Sequence, residues 1–403
     1  ETLPAVRAWL DARAAEAPFA ALGVATFGPV DLDPASATYG YITHSPKPGW
    51  EMVDVLSALS DGVAPCGFDT DVNAPALAEF AAMKKDAALV DLVEESGGRG
   101  DGAGRSLGAS GGSRNNGGDG GGVGGVSLDS ETVERSSSDN GLWSSLDNGR
   151  QHSAAQPIGG SLNNSRQHSA TQSVGGGEGG AAASVTNLAY VTVGTGVGVG
   201  VICNGQPVHG LSHPEAGHIR VARLKMDGLP GEPGSFKGTC AYHGDCVEGM
   251  ASAAAIARRC GCHVSELASV PDSHPAWDAA AHYIAGLCAT LVMVASPQRI
   301  VLGGGVLQRR TLITKVRAHM KKQLGGYVQH DFILTKRGLV QFIVTSRHGN
   351  DAGIVGALTL AKAAAASAVA ARRRGWKARL LHFAAGTACA VLTLKLVGKD
   401  ARR

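Results

Sequence analysis

Apolar positions recur along the chain with two periods, and where they stop the chain changes character. Leu3 to Ala15 spaces its apolar residues as a helix does. Ala21 to Phe27 follows as a short, nearly continuous apolar run, which predicts a buried strand closed by the turn Gly28-Pro29. A second unit is predicted as a helix over Trp50–Leu59, a short strand over Ala64–Asp69, and a helix over Val72–Lys84 with Pro75 tolerated in its first turn. From about Glu94 to Ser184 periodicity gives way to Gly, Ser, Asn and Asp, so 86–187 reads as a disordered insertion. Inside it, 145–160 is echoed at 161–176; two polar copies have no apolar face on which to stack, which makes them a duplicated spacer.

Pattern returns at Leu188 with a strand, a glycine turn and a second strand through Cys203, where Asn204-Gly205 signals a hairpin. Helices are expected near Val247–Arg259 and Pro275–Ser296, then a strand over Arg299–Leu302 and a helix over Gln308–Leu324. A last strand over Val340–Thr345 and an Ala-rich helix over Asp351–Ala366 close this part. Strands and helices alternating in this way imply an α/β protein. The tail, 362–403, combines the basic cluster Arg372–Arg379 with the apolar stretch Leu380–Val397. Lys395 makes that stretch a costly membrane span, so a peripheral helix or an ill-ordered extension is preferred over membrane contact.

Composition narrows this picture. With 57 glycines among 403 residues, the foldable part is nearer roughly 300 residues, enough for two ordinary domains. A formal charge of +3, from 37 basic and 34 acidic residues, supplies no general attraction for nucleic acid. Eight cysteines scattered through so long a chain point to a reducing compartment, with thiols free or metal-bound. A cytoplasmic location is expected; Glu1 is not an initiator methionine, so organelle targeting stays open.

Three groups of residues could carry chemistry. His218, Cys240, His243 and Cys246 offer the thiolates and imidazoles that tetrahedral zinc prefers, three of them on one Cys-x-x-His-x-x-Cys loop. The alternative is two buried cysteines beside a surface histidine. Four protein ligands would leave no open position, making such a zinc structural. Cys260 and Cys262 read as packing residues. Gly194-Thr195-Gly196-Val-Gly198 and Gly303-Gly304-Gly305 each follow a strand, where glycines let backbone N–H groups approach phosphate oxygens, although a hairpin wants glycines too. Asp71 stands where a strand's carboxyl end meets a helix, beside Asn73, and reads either as a general base or as a helix cap. Glu215 and His218 lie three residues apart and would share one face of a helix.

Taken together these residues resemble the ROK family of sugar kinases, in its bacterial-type fructokinase branch. The matching text runs through Ala25–Val30, Tyr39–Trp50, Gly67–Glu79, Tyr190–Gly198, Gly210–His218, Cys240–Gly249 and Ile300–Gly305, in that order. The resemblance implies an actin-like ATPase fold with two RNase H-like lobes. The N-terminal lobe would span 1–85 and the C-terminal lobe 188–361, whose last helix packs back on the first lobe. It further implies transfer of the ATP γ-phosphate to fructose with Mg²⁺, a structural Zn²⁺ and a homodimer. Asp71 would be the base. Asn73, Glu215, His218 and Glu248 would contact sugar, and Thr195, Gly196, Gly198, Gly303 and Gly304 the nucleotide. The family's N-terminal phosphate loop is expected upstream of Leu3. Glucose or mannose kinases, and a catalytically impaired regulatory protein, are the alternatives.

Overall fold

Two glycines decide how the chain's end meets its beginning. A computed structural model describes residues 1–45, 47–60, 65–97 and 185–400; the spacer repeats and most of 86–187 lie outside them. Helix α1 (Thr2–Glu16) leads to β1 (Leu22–Thr26), which pairs in parallel with β4 (Cys66–Thr70). Between these strands come the antiparallel pair β2 (Tyr41–Ile42) and β3 (Val53–Asp54) and the short helix α2 (Val55–Ser60). α2 starts later than the predicted Trp50. The Trp50 ring packs edge-on against Phe27 at 5.2 Å, and the Asp54 carboxylate accepts the Ser57 N–H, setting the helix start at β3's end.

After β4, α3 (Asn73–Gly97) runs beyond the predicted boundary at 85. A five-stranded sheet has the order β7-β6-β5-β8-β9. β5 (Leu188–Val193) pairs antiparallel with β6 (Val197–Cys203) and parallel with β8 (Arg299–Gly303). β7 (Gln206–Pro207) follows the predicted hairpin, with Asn204 and Gly205 at φ 51° and 79°. Both faces of β5 are covered, which explains its nearly continuous apolar run. Ala189, Val191 and Val193 face a core built with α4 (Val247–Ala251), α5 (Ala253–Cys260), α6 (Pro275–Ala295) and α7 (Arg310–Gln323). The alternate residues Leu188 and Tyr190 pack with Ala76, Phe80 and Met83 of α3.

Two sequence expectations fail for local reasons. The helix expected over Val247–Arg259 breaks at Ser252, whose extended backbone (ψ 166°) lets its hydroxyl accept the Ala255 N–H and start α5 afresh. The strand expected from Val340 begins only at Ile343. α8 (Asp331–Leu334) is followed by α9 (Lys336–Phe342), which starts on the Thr335 hydroxyl bonded to the Gly338 N–H at 2.9 Å; β9 (Ile343–Thr345) is what remains.

The last helix, α10 (Ala352–Asp400), extends well past the predicted end at Ala366. It lies so close to β1 and β4 that a Cβ on Gly23 would fall 1.8 Å from the Ala357 carbonyl oxygen, and one on Gly67 2.5 Å from that of Leu360. Gly356 makes the same approach to α3 from the helix side. Pro275–Ala295 and Gly349–Trp376 are long and apolar enough to cross a membrane by length and composition, but the first is a core helix. Of the Leu380–Val397 stretch only the helical backbone is described.

Candidate active site

Asp71 continues the β1–β4 ladder by one residue: its N–H donates to the Thr26 carbonyl at 2.8 Å. The hydroxyl of Thr70, not the Asp71 carboxyl, accepts the Asn73 N–H at the start of α3. The Asp71 side chain is open to solvent yet set among dense protein, and this partial dehydration raises its proton affinity, while the Lys47 ammonium pulls it back.

Two more carboxylates share that space. Dehydration pushes the Glu215 carboxyl up to about 7, reinforced by the negative charges of Glu248 and Asp71. Glu248 lies at the start of α4 and accepts the Val197 N–H at 3.1 Å. A Cβ on Gly196 would sit 2.6 Å from that same oxygen, so the β5–β6 turn needs a glycine there to admit the carboxylate, besides any role with phosphate. Lys47 completes the set. Dehydration lowers its proton affinity, and Asp71 and Glu248 raise it; its Nζ lies 3.3 Å from the centre of the Phe27 ring.

Around these groups the chain is tied by histidines. His209 donates from Nε2 to Asp69 at 3.0 Å, and His213, nearly fully buried, accepts the Val30 N–H on Nε2 at 3.2 Å. Asn73 is wholly buried and spends its amide N–H on Asp69 at 2.8 Å.

His218, Cys240, His243 and Cys246 converge with all four donor atoms within 4.8 Å of one another. Nδ1 of His218 is 3.3 Å from Nδ1 of His243 and 3.6 Å from each sulfur. A tetrahedral zinc with ordinary bond lengths requires roughly 3.3 Å between two nitrogens and roughly 3.6 Å between nitrogen and sulfur, and the distances from His218 match these values. The excursion between His218 and Cys240 leaves these positions intact because Arg223 binds the carbonyls of Asp227, Gly228 and Phe236, and buried Asp227 pairs with Arg259. Cys260 lies elsewhere, 3.6 Å from His274.

Of the glycines, Gly194 and Gly196 close the turn (N–H to carbonyl, 2.9 Å) and leave Thr195 exposed at its tip. Gly198 instead packs against Val72, where a Cβ would fall 2.5 Å from a methyl. Gly303 and Gly304 border a cavity of about 220 Å³ lined also by Gln308, Arg310, Thr345 and Ser346, and Gly304 adopts φ 90°, which only glycine takes readily.

The sequence profile of the ROK family matches residues 1–125 and 172–364. The chain belongs to the ROK family. Among its relatives, a putative fructokinase of Bacillus subtilis is 28% identical over 342 residues, spanning 85% of this chain and 78% of that protein. A fructokinase of Zymomonas mobilis is 29% identical over 348 residues, 86% of this chain and 79% of the other. A glucokinase of Halalkalibacterium halodurans is 29% identical over 45% of the chain. The crystal structure of a ROK hexokinase from Thermus thermophilus matches with TM-score 0.48 at 20% identity, over 87% of this chain and 81% of that one. The α/β architecture of this ROK protein, with one five-stranded and two two-stranded sheets among the described residues, is the one the resemblance implied.

Sequence reading missed Lys47 and left His213 without a role. A single lysine in a loop carries no periodic or spacing signal. His213 sits in the quoted Ser-His-Pro-Glu text, but the partner that gives it meaning, Val30, is 183 residues away.

Proposed function

We propose that this ROK-family sugar kinase, a phosphotransferase, moves the γ-phosphoryl group of ATP to fructose and yields fructose 6-phosphate. The relatives named fructokinase, each matched over most of the chain, support the reading. The structural observation that carries it is Asp71 at the carboxyl end of β4, in one electrostatic field with Glu215, Glu248 and Lys47.

Asp71 takes the proton of the attacking hydroxyl; partial dehydration makes it a better base, and the Lys47 charge opposes that rise. Glu215 and Glu248 accept hydrogen bonds from sugar hydroxyls, and His218 borders the sugar. Asn73 acts by bracing Asp69 under the β4–α3 junction. Thr195 and Gly196 approach the phosphates from one side, Gly198 serving instead to seat β6 on Val72, and Gly303 and Gly304 open toward the nucleotide from the other. Bound Mg²⁺ supplies neutralisation of phosphate charge. Zn²⁺ held by His218, Cys240, His243 and Cys246 is structural and fixes the loop that leads into α4 and Glu248.

Coupled assays comparing fructose, mannose and glucose test this directly: fructose is expected to show the highest kcat/KM, and no ATP turnover with any hexose would refute the kinase reading. Asp71→Asn should cut kcat by about 10²–10⁴-fold while leaving sugar affinity nearly unchanged.

A further inference from the structure

His213 is tied through Nε2 to Val30, 183 residues away in the chain. A backbone N–H can only donate, so the Val30 contact at 3.2 Å requires a lone pair on Nε2. In the neutral ring the proton then sits on Nδ1. Burial favours the neutral form, and the side chain is 3% exposed. The ring is also confined: a Cβ on Gly28 would fall 2.9 Å from both Cε1 and Nε2. Nδ1 makes no full hydrogen bond inside the protein. Glu215 Oε1 stands 3.4 Å from it, and the Pro214 carbonyl is a second acceptor that Glu215 competes with.

A buried donor short of a partner draws the nearest acceptor toward it. Glu215 has three rotatable bonds and a side chain 42% exposed, so a donor at this distance can select one rotamer before ligand arrives. We propose that His213 is a positioning residue for the sugar site: its Nδ1–H fixes one oxygen of Glu215 and turns the other toward a sugar hydroxyl, referencing both to the backbone of Val30. The second histidine of the same segment, His209, is pinned to Asp69 and prevents the segment from drifting off β4. The inference rests on Glu215 being a sugar contact.

Two substitutions separate the two ring nitrogens. His213→Asn keeps a donor near Nδ1 and loses the acceptor for Val30; His213→Gln keeps the acceptor and loses the donor. His213→Gln is expected to raise the KM and Kd for the sugar about tenfold with the KM for ATP unchanged, whereas His213→Asn stays within about threefold of wild type. Combined with Glu215→Ala, His213→Gln should add no further loss, because the two act through one contact. If Glu215→Ala weakens sugar binding and His213→Gln does not, the link is refuted and the sugar site stands. If neither weakens it, the link falls together with the role of Glu215. Equal losses of sugar and ATP affinity in both His213 variants, accompanied by a lowered Tm, would reduce His213 to a packing residue and overturn the proposal.

Discussion

Glu215 sits in surroundings that oppose its own charge, being partly dehydrated and facing two other carboxylates. Unfolded, the group releases its proton near its ordinary 4.5; folded, near 7. Between those values the folded chain holds the extra proton, so the stability tied to Glu215 is complete below about 4.5 and is lost as pH rises through about 7. Glu215→Gln removes that titration. It is expected to raise Tm relative to wild type in melts at about pH 8 and to change it less at about pH 5; equal shifts at both would contradict the electrostatic account. The sequence pointed to Glu215, Glu248 and Asp71 because their neighbours in the chain are distinctive. It offered two readings for Asp71, and the Thr70 hydroxyl resolves half of that choice by occupying the capping position. Lys47 stayed invisible, since its importance lies in which charges surround it.

At the level of elements, strands buried on both faces were legible. β5 and β8 are mostly apolar runs and were placed within a residue or two. The segment Val340–Thr345 was misread because its apolar residues suit either period. A capping hydroxyl at Thr335 and the close contact of Gly338 with the Asp331 carbonyl, where a Cβ would fall at 2.1 Å, turn its first half into helix. Gly23 was invisible for another reason: β1 needs no special backbone conformation there, only the absence of a side chain under α10. Gly23→Ala should therefore destabilise the protein by about 1–3 kcal/mol in urea titrations. Gly353→Ala, in the first turn of α10, would meet nothing within 4 Å and should be neutral or slightly stabilising. Similar midpoints for the two variants would show that α10 does not pack on β1 as described.

Across the whole molecule, the Cys/His cluster joins the parts of the chain proposed to contact the sugar. His218 ends the segment bearing His213 and Glu215, and Cys246 immediately precedes α4 with Glu248. Metal analysis is expected to find about one zinc per chain, and stripping it should lower Tm and raise the KM for sugar more than that for ATP. A stripped protein with unchanged Tm would argue against a structural metal. Sequence by itself determined the α/β alternation, the donor types of the cluster and the order of the family's motifs, because each depends on residues adjacent or nearly adjacent in the chain. Only the tertiary structure decided which charges share a field with Asp71, which strand glycines yield to α10, and that His213 reaches Val30 across 183 residues. Those are properties of surfaces brought together by folding, and no local period or spacing encodes them.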